Sequence, residues 1–198
     1  MLSAASELQL TDQTLIADAQ TGSVRAFEIL VGRYHPQILR YLTRQVGDRE
    51  LAADLTQETF LDAFRHLHRL KDDQPFVAWL HRIAYYTMLH ERRRRRLRHW
   101  LSLEWCLSRG GTADRHLVES DTTSAIPEHD LIQQVLASLS PSLRAALLLH
   151  SLCGFSGEQV ADILGISAMA ARQRISRAKE QFRLRYWALN GESDDPSL

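Results

Sequence analysis

The sequence predicts an all-α protein built from two small helical domains joined by a flexible linker. Three observations carry that prediction. Apolar residues recur at the i, i+3, i+4, i+7 spacing of one helix face, and no segment alternates like a strand for long. Capping residues and glycines fall where those periodic segments begin and stop. One stretch, SRGGTADRHLVESDTTSAIPEHD, breaks the pattern with Gly, Ser, Thr and Asp, the composition of a connector. A structureless loop of that length inside one compact domain is uncommon, which places a boundary there. The expected division is a first domain at 1–99, a linker at 100–127 and a second domain at 128–198.

With 198 residues, 44% hydrophobic and 24% charged, the chain has the composition of an ordinary soluble globular protein. Its 24 basic and 24 acidic residues cancel, so net charge points to no partner. The distribution does. Residues 81–98 hold seven Arg and one acid, and 172–185 hold six Arg or Lys against Glu180 alone. Between them, 101–130 carry six acids and two Arg. Two basic regions around an acidic connector suit a polyanion met at two places. Cys106 and Cys153 form no CxxC or Cys/His set, which argues against a disulfide framework or structural zinc. No metal or other cofactor is expected. No apolar run approaches the roughly 20 residues that span a bilayer. The opening MLSAASELQLTD lacks the charged and apolar regions of a secretory signal. A cytoplasmic protein without membrane insertion is the expectation.

In chain order, Thr11 can cap a short helix over Asp12–Gln20, ended by Gly22. Ser23 can cap a longer one carrying Ala26, Phe27, Leu30, Tyr34, Ile38 and Leu42, stopped by Gly47, with Pro36 expected to kink or break it. Asp48 caps ELAADLTQETFLDAFRHL, whose apolar side reads as Leu51, Leu55, Phe60, Leu61 and Phe64. Asp54, Gln57, Glu58 and Asp62 make the other side acidic. That side is either an ordinary wet face or a docking surface for a basic partner, and composition alone favours the wet face.

Pro75 suits the first position of the next helix, where Phe76, Trp79, Leu80 and Ile83 share one face. The helix then carries Tyr85 and Tyr86 and runs into Arg92, Arg93, Arg94, Arg95 and Arg96, with Arg98 beyond. Arginines track a phosphate backbone, and aromatic rings offer unstacked bases a surface. An isolated charge run is more often a solvated face; the adjacent aromatics favour single-stranded nucleic acid. After Arg98 the periodicity dissolves, with Trp100, Leu103 and Trp105 as local anchors.

The second domain opens near Glu128, with Leu131, Val135, Leu136 and Leu139 on one helix. Ser140-Pro141 caps SLRAALLLHSL, which stops at Gly154. Ser156 and Gln159 form a capping box for GEQVADIL, closed by Gly165, and Ser167 caps the last helix. Two helices joined by a short Gly-containing turn, the second one basic, are the sequence form of a helix-turn-helix. In that last helix Ala171, Ile175, Ala178 and Phe182 share the core side. Met169, Gln173, Ser176 and Arg177 lie opposite, flanked by Arg172. Arginine and glutamine can bond guanine and adenine edges bidentately in a major groove, while Lys179, Arg183 and Arg185 are placed for phosphates or solvent.

In order and spacing, these segments resemble bacterial RNA polymerase sigma factors of the sigma-70 family, extracytoplasmic function (ECF) group, from about Leu15 to Arg185. DLTQETFLDAF at 54–64 and FVAWLHRIA at 76–84 resemble the group's region 2. LSPSLRAALLLHSLCGFSGEQVADILGIS and RQRISRAK resemble its region 4. The resemblance implies core RNA polymerase, through its clamp helices and flap, and promoter DNA as partners, with an anti-sigma factor as a further candidate. It assigns polymerase docking to Asp54, Gln57, Glu58 and Leu61, reversing the wet-face reading. It assigns the −10 element and its opening to Tyr85, Tyr86, His90 and Arg92 to Arg96. It assigns the −35 element to Ser167, Met169, Arg172, Gln173, Ser176 and Arg177. The linker would thread toward the polymerase active centre.

This chain departs from the pattern in two places. Tyr85-Tyr86 stands where Arg-Asn commonly follows IA, and His90 replaces a frequent Asp. Those positions border the family's pocket for a flipped −10 base, so the promoter sequence is not to be borrowed from its relatives. Ala170-Ala171 stands where Thr-Val is usual. Three rivals remain. A stand-alone helix-turn-helix regulator would need no explanation for the 48–98 segment, and a helical adaptor would leave both arginine clusters without purpose. An enzyme is disfavoured because the nine histidines, among them His66, His68, His81, His90 and His99, form no HExxH or comparable metal set.

Overall fold

A computed structural model describes residues 10–71, 74–108 and 127–190, with side chains described at all of these except 99–108 and 127–129. The described residues form eight α-helices: α1 Asp12–Gln20, α2 Val24–Val46, α3 Arg49–His66, α4 Phe76–Ser108, α5 Pro127–Ser138, α6 Pro141–Ser151, α7 Gly157–Leu164 and α8 Ala168–Asn190. A 3₁₀ turn at Leu67–Arg69 follows α3. No strand occurs among the described residues. The connector at 109–126 lies outside them, as do the side chains of Trp100, Leu103, Trp105 and Cys106.

Local chemistry sets the helix ends. The side chains of Thr11, Ser23, Asp48 and Ser156 each accept from a first-turn amide, and Gln159 returns the bond to the Ser156 amide at 2.9 Å. Ser140 stands at the start of α6 but its hydroxyl makes no capping bond; Pro141 preorganises that turn instead. Gly47 and Gly165 end α2 and α7 at φ 76° and 66°, a left-handed conformation that costs a side-chain-bearing residue about 1 kcal/mol or more. Removing the Ser156 cap with Ser156→Ala is expected to cost about 1 kcal/mol, read as a lowered melting temperature.

The expected break at Pro36 does not occur, and α2 runs through it from Val24 to Val46. Pro36 forfeits one backbone bond, but Leu30 on one side and Ile38, Tyr41 and Leu42 on the other are fully buried. Such burial is worth about 1.5–3 kcal/mol per large side chain, enough to hold both halves in line. Helix α4 likewise continues past Arg98 to Ser108.

α2, α3 and α4 form the first unit, with α1 packed on α2; α5, α6 and α7 pack around α8 in the second. The α3 stripe facing the core is Ala52, Leu55, Thr56, Thr59, Phe60 and Ala63. Its threonines bond the carbonyls of Ala52 and Leu55 at 2.7 and 2.6 Å, which satisfies their hydroxyls without a partner helix. Leu61 and Phe64, read from the sequence as apolar-side residues, are instead 49% and 45% exposed. They stand one position off the stripe; Phe64 still lays one side of its ring against Phe27 of α2, centroids 5.0 Å apart, while Leu61 faces outward.

The two units also touch. α4 packs against α7, and α2 against α5 and α6. Arg144 Nη1 donates to the Gln45 carbonyl at 2.6 Å, and Gln133 Nε2 donates to that of Arg44 at 3.4 Å. Buried apolar residues of both units form one continuous cluster.

Candidate nucleic-acid interface

Three surfaces carry the chemistry. On α3, Asp54, Gln57, Glu58 and Leu61 are all exposed and follow one another at i, i+3, i+4, i+7, so they form a single stripe. Asp54 and Glu58 are in no ion pair among the described residues. The stripe is acidic, ends in an apolar side chain and has no structural duty in its own domain. Asp62 stands apart from it, half-buried and paired with Arg65 at 3.1 Å.

The second surface is on α4. Its inner face buries Phe76, Trp79, Leu80, Ala84 and Met88. Outward lies a cleft of about 440 Å³ whose walls include Asp62, His66, Arg69, Gln74, Trp79, Arg82, Tyr86 and His90. The Arg82 guanidinium sits 5.9 Å from the Tyr86 ring centre, a cation–π distance. Flat rings beside guanidinium donors suit a planar base carried on a phosphate chain. Arg82, Trp79 and Ile83 were missed as site residues although 79, 82, 83, 86 and 90 share one helical face. His66, Arg69 and Gln74 had no such signal, because only the fold brings the end of α3 and its connection against α4.

Of the two tyrosines, Tyr86 and Tyr85 part company. Tyr86 is 37% exposed, whereas Tyr85 is 7% exposed. Burial pushes the Tyr85 phenol up, with Arg174 of the second unit pulling it down. The arginine run is also divided. Glu91, 7% exposed, holds Arg94, Arg95 and Arg98 at 2.6, 2.8 and 3.1 Å. Burial alone would raise its carboxyl, but Arg95 and Arg94 prevail and hold it below the ordinary carboxylate range. Arg92, Arg93 and Arg96 are left without an ion pair among the described residues. Arg92, unlike the other two, is partly desolvated, and burial holds its guanidinium below its ordinary value.

The third surface is on α8, where Ala171, Ile175 and Ala178 are buried and Phe182 is half-buried. Ser167, Met169, Arg172, Gln173, Ser176 and Arg177 are all exposed, Met169 at 68%. The Ser167 hydroxyl accepts from the Ala170 amide at 3.2 Å, so this residue caps the helix as well as standing at its tip. Between α7 and α8 runs an opening of about 630 Å³ lined by Ser156, Gly157, Glu158, Arg172, Ser176 and Lys179. A Cβ at Gly157 would lie 3.4 Å from Arg172 Cγ, so the bare glycine leaves room for that side chain.

Three histidines bond backbone carbonyls through Nδ1: His66 to Asp62, His81 to Val77 and His150 to Phe155, at 2.8, 2.8 and 2.9 Å. Among the described residues no group of three or more His, Cys, Asp or Glu could hold a metal ion. No described helix is long and apolar enough to cross a membrane.

Residues 30–98 match the family model for Sigma-70 region 2, and 129–182 that for Sigma-70, region 4. The chain is 32% identical over 183 residues to the ECF RNA polymerase sigma-E factor of Haemophilus influenzae, covering 87% of this chain and 93% of that one. It is 33% identical over 177 residues to the RNA polymerase sigma-H factor of Pseudomonas aeruginosa, covering 87% and 92%. Among solved structures it resembles CnrH, determined in complex with the cytosolic domain of CnrY: TM-score 0.64, 28% identity, 92% of this chain and 99% of that one. With both helical units matched in order and the likeness running along nearly the whole length, the chain belongs to the sigma-70 family of RNA polymerase sigma factors, in the ECF group.

Proposed function

We propose that this sigma factor divides promoter-specific initiation among its three surfaces. The acidic stripe Asp54–Gln57–Glu58–Leu61 docks on the core polymerase clamp helices. The cleft around Arg82, Tyr86 and His90, with Arg92, Arg93 and Arg96, captures and holds the −10 strand. Ser167, Met169, Arg172, Gln173, Ser176 and Arg177 read the −35 element. The single observation that carries this reading is that an acidic exposed stripe and two arginine-bearing faces lie on separate helices, none needed by the core. One chain can then meet polymerase and two DNA elements at once.

The division extends to 1–99 and 128–198 as the two functional domains, joined by 100–127. The factor works in the cytoplasm and carries no catalytic step of its own. CnrH was solved with the cytosolic domain of CnrY; by analogy an anti-sigma protein is a partner here too. Tyr85 is buried and serves the contact between the units; Tyr86, exposed although its hydroxyl lies beside Gly165, serves the DNA. Stacking on an aromatic ring contributes about 1–3 kcal/mol per base. Tyr86→Ala is therefore expected to impair strand opening more than initial duplex binding. Permanganate footprinting of holoenzyme on its promoter reads this directly; normal opening by Tyr86→Ala would remove Tyr86 from the −10 site.

A further inference from the structure

The contact between the two units has a histidine at its centre. His81 of α4 is fully buried. Its ring stands edge-on to Tyr41 of α2 at 5.3 Å and to Phe155, in the turn before α7, at 4.9 Å. Nδ1 lies 2.8 Å from the Val77 carbonyl, an acceptor, so Nδ1 carries the proton. Nε2 has no hydrogen-bond partner among the described residues. A second proton would therefore create an N–H without an acceptor and a charge among rings, both costly in a dry contact.

The neighbours offer such a charge no relief. Burial pushes the Cys153 thiol up to about 12, against the pull of the Arg40 cation. Burial raises the Tyr41 phenol too, and Tyr85, on the same helix as His81, feels Arg174 of α8. Tyr41, Tyr85 and Cys153 thus stay neutral through the mildly acid range and supply no negative charge to a protonated His81. His150 is the other titratable group at this turn, already bonded through Nδ1 to the Phe155 carbonyl.

The same contact ties the DNA-reading parts together. A Cβ at Gly165, the turn of the helix-turn-helix, would lie 2.8 Å from the Tyr86 hydroxyl. Elements at −10 and −35 are about 25 base pairs apart, roughly 85 Å of duplex. Units in direct contact cannot span that distance, so reading both elements requires this contact to part.

We propose that His81 is a proton-sensitive pin of the closed contact, so that mild acid releases the two DNA-reading units from one another. This rests on the reading of those units as the −10 and −35 domains. Burial lowers His81 from its ordinary 6.5 to about 4. Opening withdraws Phe155 and returns the ring toward its ordinary value. The closed state is then at full strength above the open-state value and weakens as pH falls from about 6.5 toward 4. Linkage gives about a tenfold fall in the closed-to-open ratio between pH 7.5 and 5.5.

The test uses the full chain alone, with dyes on residues 28 and 162, both exposed and in different units, and counts closed and open molecules by single-molecule energy transfer. Wild type is expected to shift about tenfold toward open over that pH interval, and His81→Gln to show no such shift. His81→Phe, which keeps an uncharged ring, covers the case in which His81→Gln does not fold and is expected to stay closed at both pH values. Equal shifts in wild type and the His81 variants would assign the titration to another group, such as His150, and overturn the proposal. A wild type with no shift, whether closed or open throughout, would overturn it as well. Neither polymerase nor DNA enters this measurement, so its failure is separate from a failure of the sigma-factor reading, which promoter-specific transcription decides.

Discussion

A chain carrying Asp54→Lys and Glu58→Lys is expected to lose about a hundredfold or more of its affinity for core polymerase while keeping its helical circular dichroism. Both side chains are exposed, and neither is in an ion pair among the described residues. Their charge is not spent on the fold. They lie side by side at i, i+4 on α3, flanked by Gln57 and the half-exposed Leu61, so both face the same partner. Placing like charge against like across an interface costs several kcal/mol, and each 1.4 kcal/mol is about tenfold in affinity. Unchanged capture of core polymerase by a well-folded double variant would remove the docking assignment from this stripe.

The second large effect is expected on α8. Arg177 projects away from the buried Ala171, Ile175 and Ala178 and Arg172 stands on the flank beside α7, both in the half of the helix that a recognition helix inserts into the groove. An arginine bonded to a guanine edge contributes about 1–3 kcal/mol of discrimination at one position. Arg172→Ala, Gln173→Ala and Arg177→Ala should each relax preference at a distinct −35 base when holoenzyme is assayed on promoter variants. An arginine bound only to phosphate behaves differently: its loss weakens all sequences alike and flattens the salt dependence. Uniform losses for all three variants would mean that this face positions the domain without reading sequence. Arg172, drawn over Gly157 beside α7, is the residue for which that contrast is sharpest.

Helix ends were legible because capping is local. Thr11, Ser23, Asp48 and the Ser156–Gln159 pair satisfy amides three residues away, so their role can be read without the fold. The exposed face of α8 was legible for a related reason, since a single helix buried along one side leaves its opposite side determined by angle alone. Pro36 was misread because its cost is local while the burial that overrides it is tertiary. Leu61 and Phe64 were assigned to the core by hydropathy, but they lie at the edge of the α3 stripe, where Phe64 meets Phe27 with one side only and Leu61 stays exposed. Tyr85 and Tyr86 could not be told apart from the sequence, because the second unit reaches both, with Arg174 acting on Tyr85 and Gly165 beside the Tyr86 hydroxyl. The contact between the units was not legible in the sequence, because an Arg144 guanidinium on a Gln45 carbonyl leaves no periodic trace.

The central claim is that one chain supplies polymerase with both promoter-reading surfaces. Run-off transcription with purified core polymerase and this chain, across a library of promoters, tests it most directly. Transcripts are expected to need both proteins and to start only where a −10 and a −35 element stand at a fixed spacing. Transcription that is indifferent to sequence, or tight duplex binding by a dimer of the chain without polymerase, would contradict it.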